Sequence, residues 1–300
     1  MTIKNFVKNL LEPPKYQLNS KILNSLNYQK IRCLRENNKY EKLKKSFNHE
    51  SLNIKKNEKD FIDRNGYIIL ENFFDEKSFK IIVNSFNKYS NSNRVKYKKD
   101  FYNMIWGSGL ISKNSDHPDE AKKIINLFES SRVLDFAKYL LKRQDLSKNF
   151  ELSYQDLMLM DGKIDNIDPN RFIHADKHYH CVKSYFSIED NHINNAPYLY
   201  VPKSHLMDSA RIEFENELSK RSKTDMQFRV SDNDLKKFNF SVKSMIIKKN
   251  SLVISDNLGF HARGEMKKGF SRKQIRISFH SVQANRLQQF LRKTARRMVL

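Results

Sequence analysis

Three residues of this sequence have the types and the spacing of a facial triad for non-haem Fe(II). His174 and Asp176 are two positions apart, and His261 follows Asp176 after 85 positions. Residues i and i+2 of a β-strand point to the same side, so one extended segment can aim His174 and Asp176 at a single ion. Two neutral imidazoles and one carboxylate suit ferrous iron and leave positions open for a co-substrate and O₂. The spacing therefore indicates an iron enzyme.

A second pair of histidines competes for the same role. His178 and His180 continue the alternation of His174 and Asp176, so one long strand would direct all four side chains inward. The apolar residues just before His174 favour the first pair, with His178 and His180 on a polar rim where a loop opens. We expect His205 to fix a nearby loop rather than to bind metal.

The elements that must position these ligands change in character along the chain. Apolar residues at helical spacing predict helices before residue 142, and short β-branched and aromatic runs predict strands from residue 152 onward. The third ligand must come from a strand distant in sequence and adjacent in space, which requires a closed or doubled sheet. One predicted helix begins at Asp75, two more span 120–128 and 131–141, and a fourth surrounds 212–218. The predicted strands lie within 65–70, 152–160, 172–176, 182–188, 198–201, 251–255 and 274–281.

The composition excludes several classes of protein. The 300 residues supply an ample core, but no uninterrupted apolar run approaches the ~18 residues of a transmembrane helix. The first eleven residues lack the apolar segment of a secretory signal. Cys33 and Cys181 make no disulfide framework, which favours a reducing compartment. We therefore predict a soluble, cytoplasmic protein.

The formal net charge of +22 admits two explanations. Lysines are scattered along the whole chain without a nucleic-acid-binding motif, which favours a general overuse of Lys and Asn over a specific nucleic-acid partner. A non-catalytic basic protein that binds nucleic acid or an anionic membrane surface stays open as the alternative function. A basic surface would equally attract an anionic substrate.

Several motifs occur together in the order and spacing of a known family. They are Asn65-Gly66-Tyr67-Ile68-Ile69-Leu70-Glu71-Asn72-Phe73, His174-Ala175-Asp176, Asn195-Ala196-Pro197-Tyr198-Leu199-Tyr200-Val201-Pro202-Lys203-Ser204-His205, Ser251-Leu252-Val253-Ile254-Ser255-Asp256, His261-Ala262-Arg263-Gly264 and Arg272-Lys273-Gln274-Ile275. Over residues 60–282 the chain resembles the phytanoyl-CoA dioxygenase (PhyH) family of Fe(II)/2-oxoglutarate-dependent oxygenases. The resemblance implies a mainly β fold, a double-stranded β-helix or jelly-roll core that is buttressed by N-terminal helices.

The resemblance also implies a site for 2-oxoglutarate. In this family an arginine on the strand after the distal histidine binds the far carboxylate, because a guanidinium forms paired hydrogen bonds and stays charged when buried. The alignment favours Arg272, and Arg276 is the alternative. Lys183 and Tyr185 are further candidates for the co-substrate, although a lysine at such a position is more often solvated and an aromatic residue more often belongs to the core.

The implied reaction uses Fe(II), 2-oxoglutarate and O₂ to hydroxylate an unactivated C–H bond of a small molecule and releases succinate and CO₂. Substrates in the family include lipids, sugars, amino acids and natural products. Asp176 stands where related halogenases have a small residue, which favours hydroxylation, with desaturation as the other outcome. A jelly-roll cupin that uses iron without 2-oxoglutarate would need a glutamate soon after His178-Tyr179-His180, and Glu189 comes too late.

The expected organisation has three parts. Residues 1–58 form a basic arm of short helices or partial order, residues 59–283 form the dioxygenase domain, and residues 284–300 form a basic amphipathic helix. Three positions depart from the family, since Ala196, Lys203 and Asn250 replace glycines. Asparagine tolerates positive φ and can replace glycine, whereas alanine and lysine do so less well, so these changes bear on loop shape more than on the chemistry. The sequence leaves the oligomeric state open.

Overall fold

Helices come first in the chain and strands dominate its second half. The computed structural model describes residues 27–92, 104–112, 116–144, 146, 150–159, 169–176, 179–221 and 228–280. The helices are α1 Tyr28–Ser46, α2 Lys56–Asn65, α3 Glu76–Ser92, α4 Pro118–Glu129, α5 Val133–Leu141, α6 Ser209–Arg221 and α7 Asp232–Lys237. The strands are β1 Tyr67–Leu70, β2 Met104–Leu110, β3 Phe150–Leu159, β4 His174–Ala175, β5 Cys181–Ser187, β6 Tyr198–Tyr200, β7 Phe228–Arg229, β8 Lys243–Met245, β9 Leu252–Asp256, β10 His261–Arg263 and β11 Ser271–His280.

The strands form two antiparallel sheets with crossed connections. One sheet has the order β1-β9-β5-β11-β3-β2, and the other has the order β7-β4-β10-β6-β8. Strands that are distant in sequence therefore lie side by side, and β10 pairs with β4. Two such sheets with helices around them are a double-stranded β-helix, or jelly roll. The predicted fold class is confirmed.

The two faces of the six-stranded sheet have different chemistry. On β11, Ile275, Ile277 and Phe279 belong to the large apolar cluster that the sheet shares with α2 to α5. The alternate residues Arg272 and Arg276 point to the other face, where they line a cavity. Helices thus cover the outer face with apolar contacts and leave the inner face free for polar side chains.

The start of α3 agrees with the sequence prediction, whereas α1 does not. Asp75 Oδ1 accepts a hydrogen bond from the Ser78 backbone N–H at 2.9 Å, the geometry of an N-cap.

Helix α1 is longer than the short helices expected in this part of the chain. It contacts α6 through polar groups, since Gln29 Nε2 and the Cys33 thiol donate to Glu215 at 3.2 Å and 3.3 Å. A polar interface of this kind leaves no apolar periodicity in the sequence.

The three positions at which the resemblance implies glycine have the backbone conformation that glycine favours. Ala196, Lys203 and Asn250 have φ values of 55°, 69° and 59°. The Asn250 side chain compensates, because its amide donates to the Phe74 carbonyl at 2.7 Å and accepts from the Phe74 N–H at 3.1 Å. The loops therefore retain the left-handed turns instead of changing shape.

Lys203→Gly is expected to stabilise the fold. The left-handed region costs a residue with a Cβ about 1–2 kcal/mol, and the greater freedom of glycine in the unfolded chain offsets about half of that gain. Lys203 is exposed, so little side-chain contact is lost. Urea unfolding should show a gain of about 0.5–1 kcal/mol. Lys203→Ala keeps the strained φ and is the matched control; an equal gain in both variants would contradict this explanation.

Three remaining observations concern the ends of the chain, the cysteines and the membrane. None of the described helices is long and apolar enough to cross a bilayer. Cys33 and Cys181 are free and buried. Residues 1–26 and the predicted helix 284–300 lie outside the described residues, so the three-part organisation stays a prediction.

Candidate metal centre

Strand pairing brings the three predicted ligands together. His174 on β4 and His261 on β10 are register partners, and their ring centroids lie 4.6 Å apart. Asp176 follows β4 directly; its Oδ1 lies 3.4 Å from His174 Nε2, and its Oδ2 lies 3.5 Å from His261 Nε2. One ligand atom from each residue falls within 4.8 Å of the other two. This is the spacing of donors that surround one ion.

The backbone fixes which nitrogen of each histidine faces the centre. His174 Nδ1 lies 2.7 Å from the Phe172 carbonyl, and His261 Nδ1 lies 2.9 Å from the Gly259 carbonyl. Each Nδ1–H donates to that oxygen, so each Nε2 carries a lone pair for a metal. Within the described part of the chain, the buried Nε2 of His261 has no hydrogen-bond partner. Burial lowers the pKa of His261 to about 4, which keeps the imidazole neutral. These donors fit Fe(II).

Two side chains hold the carboxylate of Asp176. Lys183 Nζ donates to Oδ2, and Asn257 Nδ2 donates to the same oxygen at 3.0 Å. Burial alone would raise the pKa of Asp176, but the charge of Lys183 and the two histidines hold it well below its usual range. Asp176 is therefore an ionised carboxylate. Lys183 is not a solvated surface residue, because it forms this ion pair inside the cavity.

The competing histidines have other contacts. His180 Nδ1 bonds to the Asp256 carboxylate, and its ring stacks on Tyr40 with centroids 3.7 Å apart. His178 lies outside the described residues. The strand that would have aimed all four residues inward ends at Ala175, so the alternation does not continue to His180. His205 Nε2 lies 3.1 Å from the Asp63 carbonyl, where it joins its loop to α2.

His180→Asn is expected to leave the Fe(II) affinity unchanged. The amide of asparagine can still donate to Asp256, so the variant avoids an unpaired buried carboxylate, which would cost several kcal/mol. His174→Asn is the matched control and should lose most of the affinity. An anaerobic Fe(II) titration of both variants decides between the two ligand sets, and comparable losses would favour the set with His180.

A cavity of about 170 Å³ lies beside the triad and contains both candidate arginines. Arg272 is 8% exposed and donates to the Ala196 carbonyl through Nη1, but its Nε has no partner among the described residues. Burial lowers its pKa to about 10, and the side chain that opposes this shift is Tyr185 rather than a carboxylate. Arg276 lies nearer the rim, with a side chain 32% exposed and Nη2 3.3 Å from Glu151. A buried guanidinium in this setting favours an anionic ligand.

The wall of the cavity also contains residues that sequence patterns did not single out. Tyr198 packs against the predicted Tyr185 in a tilted arrangement, with ring centroids 4.8 Å apart. Gln155 and Gln274 face each other across β3 and β11, and their side chains are hydrogen-bonded. Asn257 follows β9 and precedes His261 by four positions. Its position four residues before His261 was the available signal for a role beside Asp176.

The fold is shared with known enzymes. The solved structures similar to this chain include the epimerase SnoN in complex with Fe3+, alpha ketoglutarate and nogalamycin RO, with 11% identity and a TM-score of 0.50 over 74% of this chain and 81% of that chain. They also include EctD from S. alaskensis in its apoform, with 13% identity and a TM-score of 0.50 over 77% of this chain and 78% of that chain. No family model and no curated protein matches the sequence. The structural likeness shows the common jelly-roll fold.

Proposed function

We propose that this protein is an Fe(II)- and 2-oxoglutarate-dependent dioxygenase that hydroxylates an unactivated C–H bond of a small molecule. The observation that carries the proposal is the convergence of His174, Asp176 and His261 beside the buried guanidinium of Arg272, in one cavity. SnoN supports the same reaction class, since it is described with iron and alpha ketoglutarate on the same fold. The PhyH motifs and their three glycine-like turns support membership of that family.

Each part of the cavity has a role in this proposal. His174, Asp176 and His261 hold Fe(II), and Arg272 binds the far carboxylate of 2-oxoglutarate through paired hydrogen bonds. Lys183 keeps Asp176 ionised, and Lys183 and Tyr185 border the space for the co-substrate. Bound Fe(II) supplies the redox chemistry for O₂ and 2-oxoglutarate, while the protein orients the reactants and excludes water.

The overall reaction balances without a further reductant. The substrate R–H, 2-oxoglutarate and O₂ give R–OH, succinate and CO₂, with one oxygen atom in the new hydroxyl and the other in succinate. Asp176 supports this outcome because a carboxylate occupies the position that would have to be open for a halide.

The test is a metabolite screen for stimulated succinate release with Fe(II), ascorbate and 2-oxoglutarate. A substrate should raise succinate formation above the level without substrate, and ¹⁸O₂ should place labelled oxygen in the product. Asp176→Ala should lose both signals. SnoN is described as an epimerase, so stimulated succinate release without labelled product would refute hydroxylation and retain the reaction class. No metal- and 2-oxoglutarate-dependent succinate with any compound would contradict the proposal.

A non-catalytic basic protein is not favoured as the function. Its binding surface would not need a buried metal-ligand cluster or an enclosed guanidinium, and both are present. We propose that the positive charge attracts an anionic small-molecule substrate. We also propose that the protein is cytoplasmic and has no specific nucleic-acid partner.

A further inference from the structure

The inner face of the six-stranded sheet is polar across three neighbouring strands. Register pairing places residues of β5, β11 and β3 that share this face in rows. In each row below, the residue of β5 comes first, that of β11 second and that of β3 third. The rows are Lys183-Ser278-Glu151, Tyr185-Arg276-Ser153 and Ser187-Gln274-Gln155. This face of the sheet thus carries hydroxyl, amide and guanidinium groups, and its residues Lys183, Tyr185, Gln155, Gln274 and Arg276 line the cavity.

The middle row contains two buried donors without partners. Within the described part of the chain, Ser153 Oγ and Arg276 Nε are both buried and form no hydrogen bond. The two residues are direct cross-strand neighbours, so their side chains lie side by side on the same face. Buried polar groups are nearly always satisfied in folded proteins, so two adjacent orphaned donors indicate a ligand with acceptor oxygens.

The net charge of the cavity lining also favours an anionic ligand. Its described lining has four basic side chains, Lys183, Arg263, Arg272 and Arg276, against the single carboxylate of Asp176. Fe(II) and 2-oxoglutarate carry opposite double charges, so their joint binding leaves the excess positive charge in place. The described lining also lacks Leu, Ile, Val, Met and Phe, with Tyr185, Tyr198 and Ala262 as its apolar surface. Such a wall offers little contact to an acyl chain.

We infer that Arg276 and Ser153 form an oxyanion subsite that binds a carboxylate or phosphate group of the substrate. The substrate is accordingly a small, polar, anionic molecule and not a lipid chain. This inference rests on the proposed function, because it assigns Arg272 to 2-oxoglutarate and leaves Arg276 for the second anion. The planar guanidinium supplies two parallel donors to an oxyanion, and the Ser153 hydroxyl supplies a third.

Glu151 has a defined part in this arrangement. It lies diagonally across from Arg276 on the same face, and its Oε1 is 3.3 Å from Arg276 Nη2. At 45% exposure of its side chain the carboxylate is well hydrated, so it competes weakly with a ligand for the guanidinium. Removing its charge should therefore strengthen anion binding, which makes Glu151→Gln a matched control for Arg276→Gln.

The test is calorimetry on the anaerobic Fe(II) protein saturated with 2-oxoglutarate, with glycerate, glycerol 3-phosphate and neutral glycerol as probes. At least one anion should bind, and the tighter one identifies a carboxylate or a phosphate preference; glycerol should not bind. Arg276→Gln should weaken the binding of that anion by about ten-fold or more. Ser153→Ala should weaken it by less, Glu151→Gln should not weaken it, and Arg276→Gln should leave the Kd of 2-oxoglutarate unchanged.

Three results would overturn the subsite while the proposed function stands: neither anion binds, glycerol binds as tightly as the anions, or Arg276→Gln leaves anion affinity unchanged. A loss of 2-oxoglutarate binding in Arg276→Gln, but not in Arg272→Gln, would overturn it by making Arg276 the co-substrate anchor. Failure of the wild-type Fe(II) protein to bind 2-oxoglutarate would refute the proposed function instead. The same titrations without 2-oxoglutarate would then decide the subsite separately.

Discussion

Replacing His261 with alanine is expected to remove tight Fe(II) binding and all 2-oxoglutarate turnover. Its Nε2 is one of three donors at the centre, and its Nδ1–H is already committed to the Gly259 carbonyl, so no other atom of the residue can substitute. Loss of an outer partner of a metal ligand typically costs 10–100-fold in affinity, so loss of a ligand should cost at least about 100-fold. Anaerobic Fe(II) titration measures the change.

The control for this variant is its stability without metal. His261 is buried, and a truncated side chain leaves a small void, so thermal unfolding of the metal-free proteins should show a modest loss with the fold intact. His174→Ala and Asp176→Ala should reproduce the loss of iron. A folded His261→Ala protein that binds Fe(II) as tightly as the wild type would remove this residue from the ligand set.

Replacing Arg272 with alanine is expected to weaken 2-oxoglutarate binding and to spare iron. A buried carboxylate that loses its cation costs on the order of 2–5 kcal/mol, which raises the Kd by at least about ten-fold. Arg272→Lys should recover only part of the affinity, because an ammonium cannot form the paired bonds of a guanidinium. Calorimetric titration of 2-oxoglutarate into the anaerobic Fe(II) proteins gives the values.

The informative comparison is with Arg276→Ala, which changes the second cavity arginine. Arg276 is the more exposed of the two and already contacts Glu151, so its loss should leave 2-oxoglutarate affinity close to that of the wild type. Unchanged affinity in Arg272→Ala together with a collapse in Arg276→Ala would move the anchor to Arg276. Unchanged affinity in both variants would mean that neither arginine of β11 binds 2-oxoglutarate.

The convergence of the three candidate ligands could be predicted because most of the information for it is local. His174 and Asp176 share a face through the geometry of an extended segment, and His261 follows a strand with a clear apolar run. The same requirement predicted a closed or doubled sheet, because a ligand distant in sequence needs a strand that is adjacent in space, and the jelly roll itself was implied by the family resemblance. Ala196 and Lys203 have positive φ, which is the conformation expected of the glycines that the family resemblance implies at these positions.

Other features depend on contacts that no sequence pattern encodes. Helix α1 docks through a buried glutamate instead of an apolar stripe, so hydrophobic periodicity did not reveal it. The two-residue strand β4 pairs with β10 at His174 and with β7 at His174 and Ala175, and these pairings rather than propensity determine its extent. Ser153 and Arg276 are neighbours only because of the register between β3 and β11. A register shift of one residue would have placed their side chains on opposite faces of the sheet.

The most direct measurement of the central claim is the absorption spectrum of the anaerobic Fe(II) protein during addition of 2-oxoglutarate. Chelation of ferrous iron by the 2-oxo and carboxylate oxygens produces a charge-transfer band, so the band reports both groups in one site. We expect the band to saturate at one equivalent of 2-oxoglutarate per bound iron and to be absent in Asp176→Ala. Iron bound by the wild-type protein without such a band would contradict an Fe(II)/2-oxoglutarate centre at His174, Asp176 and His261.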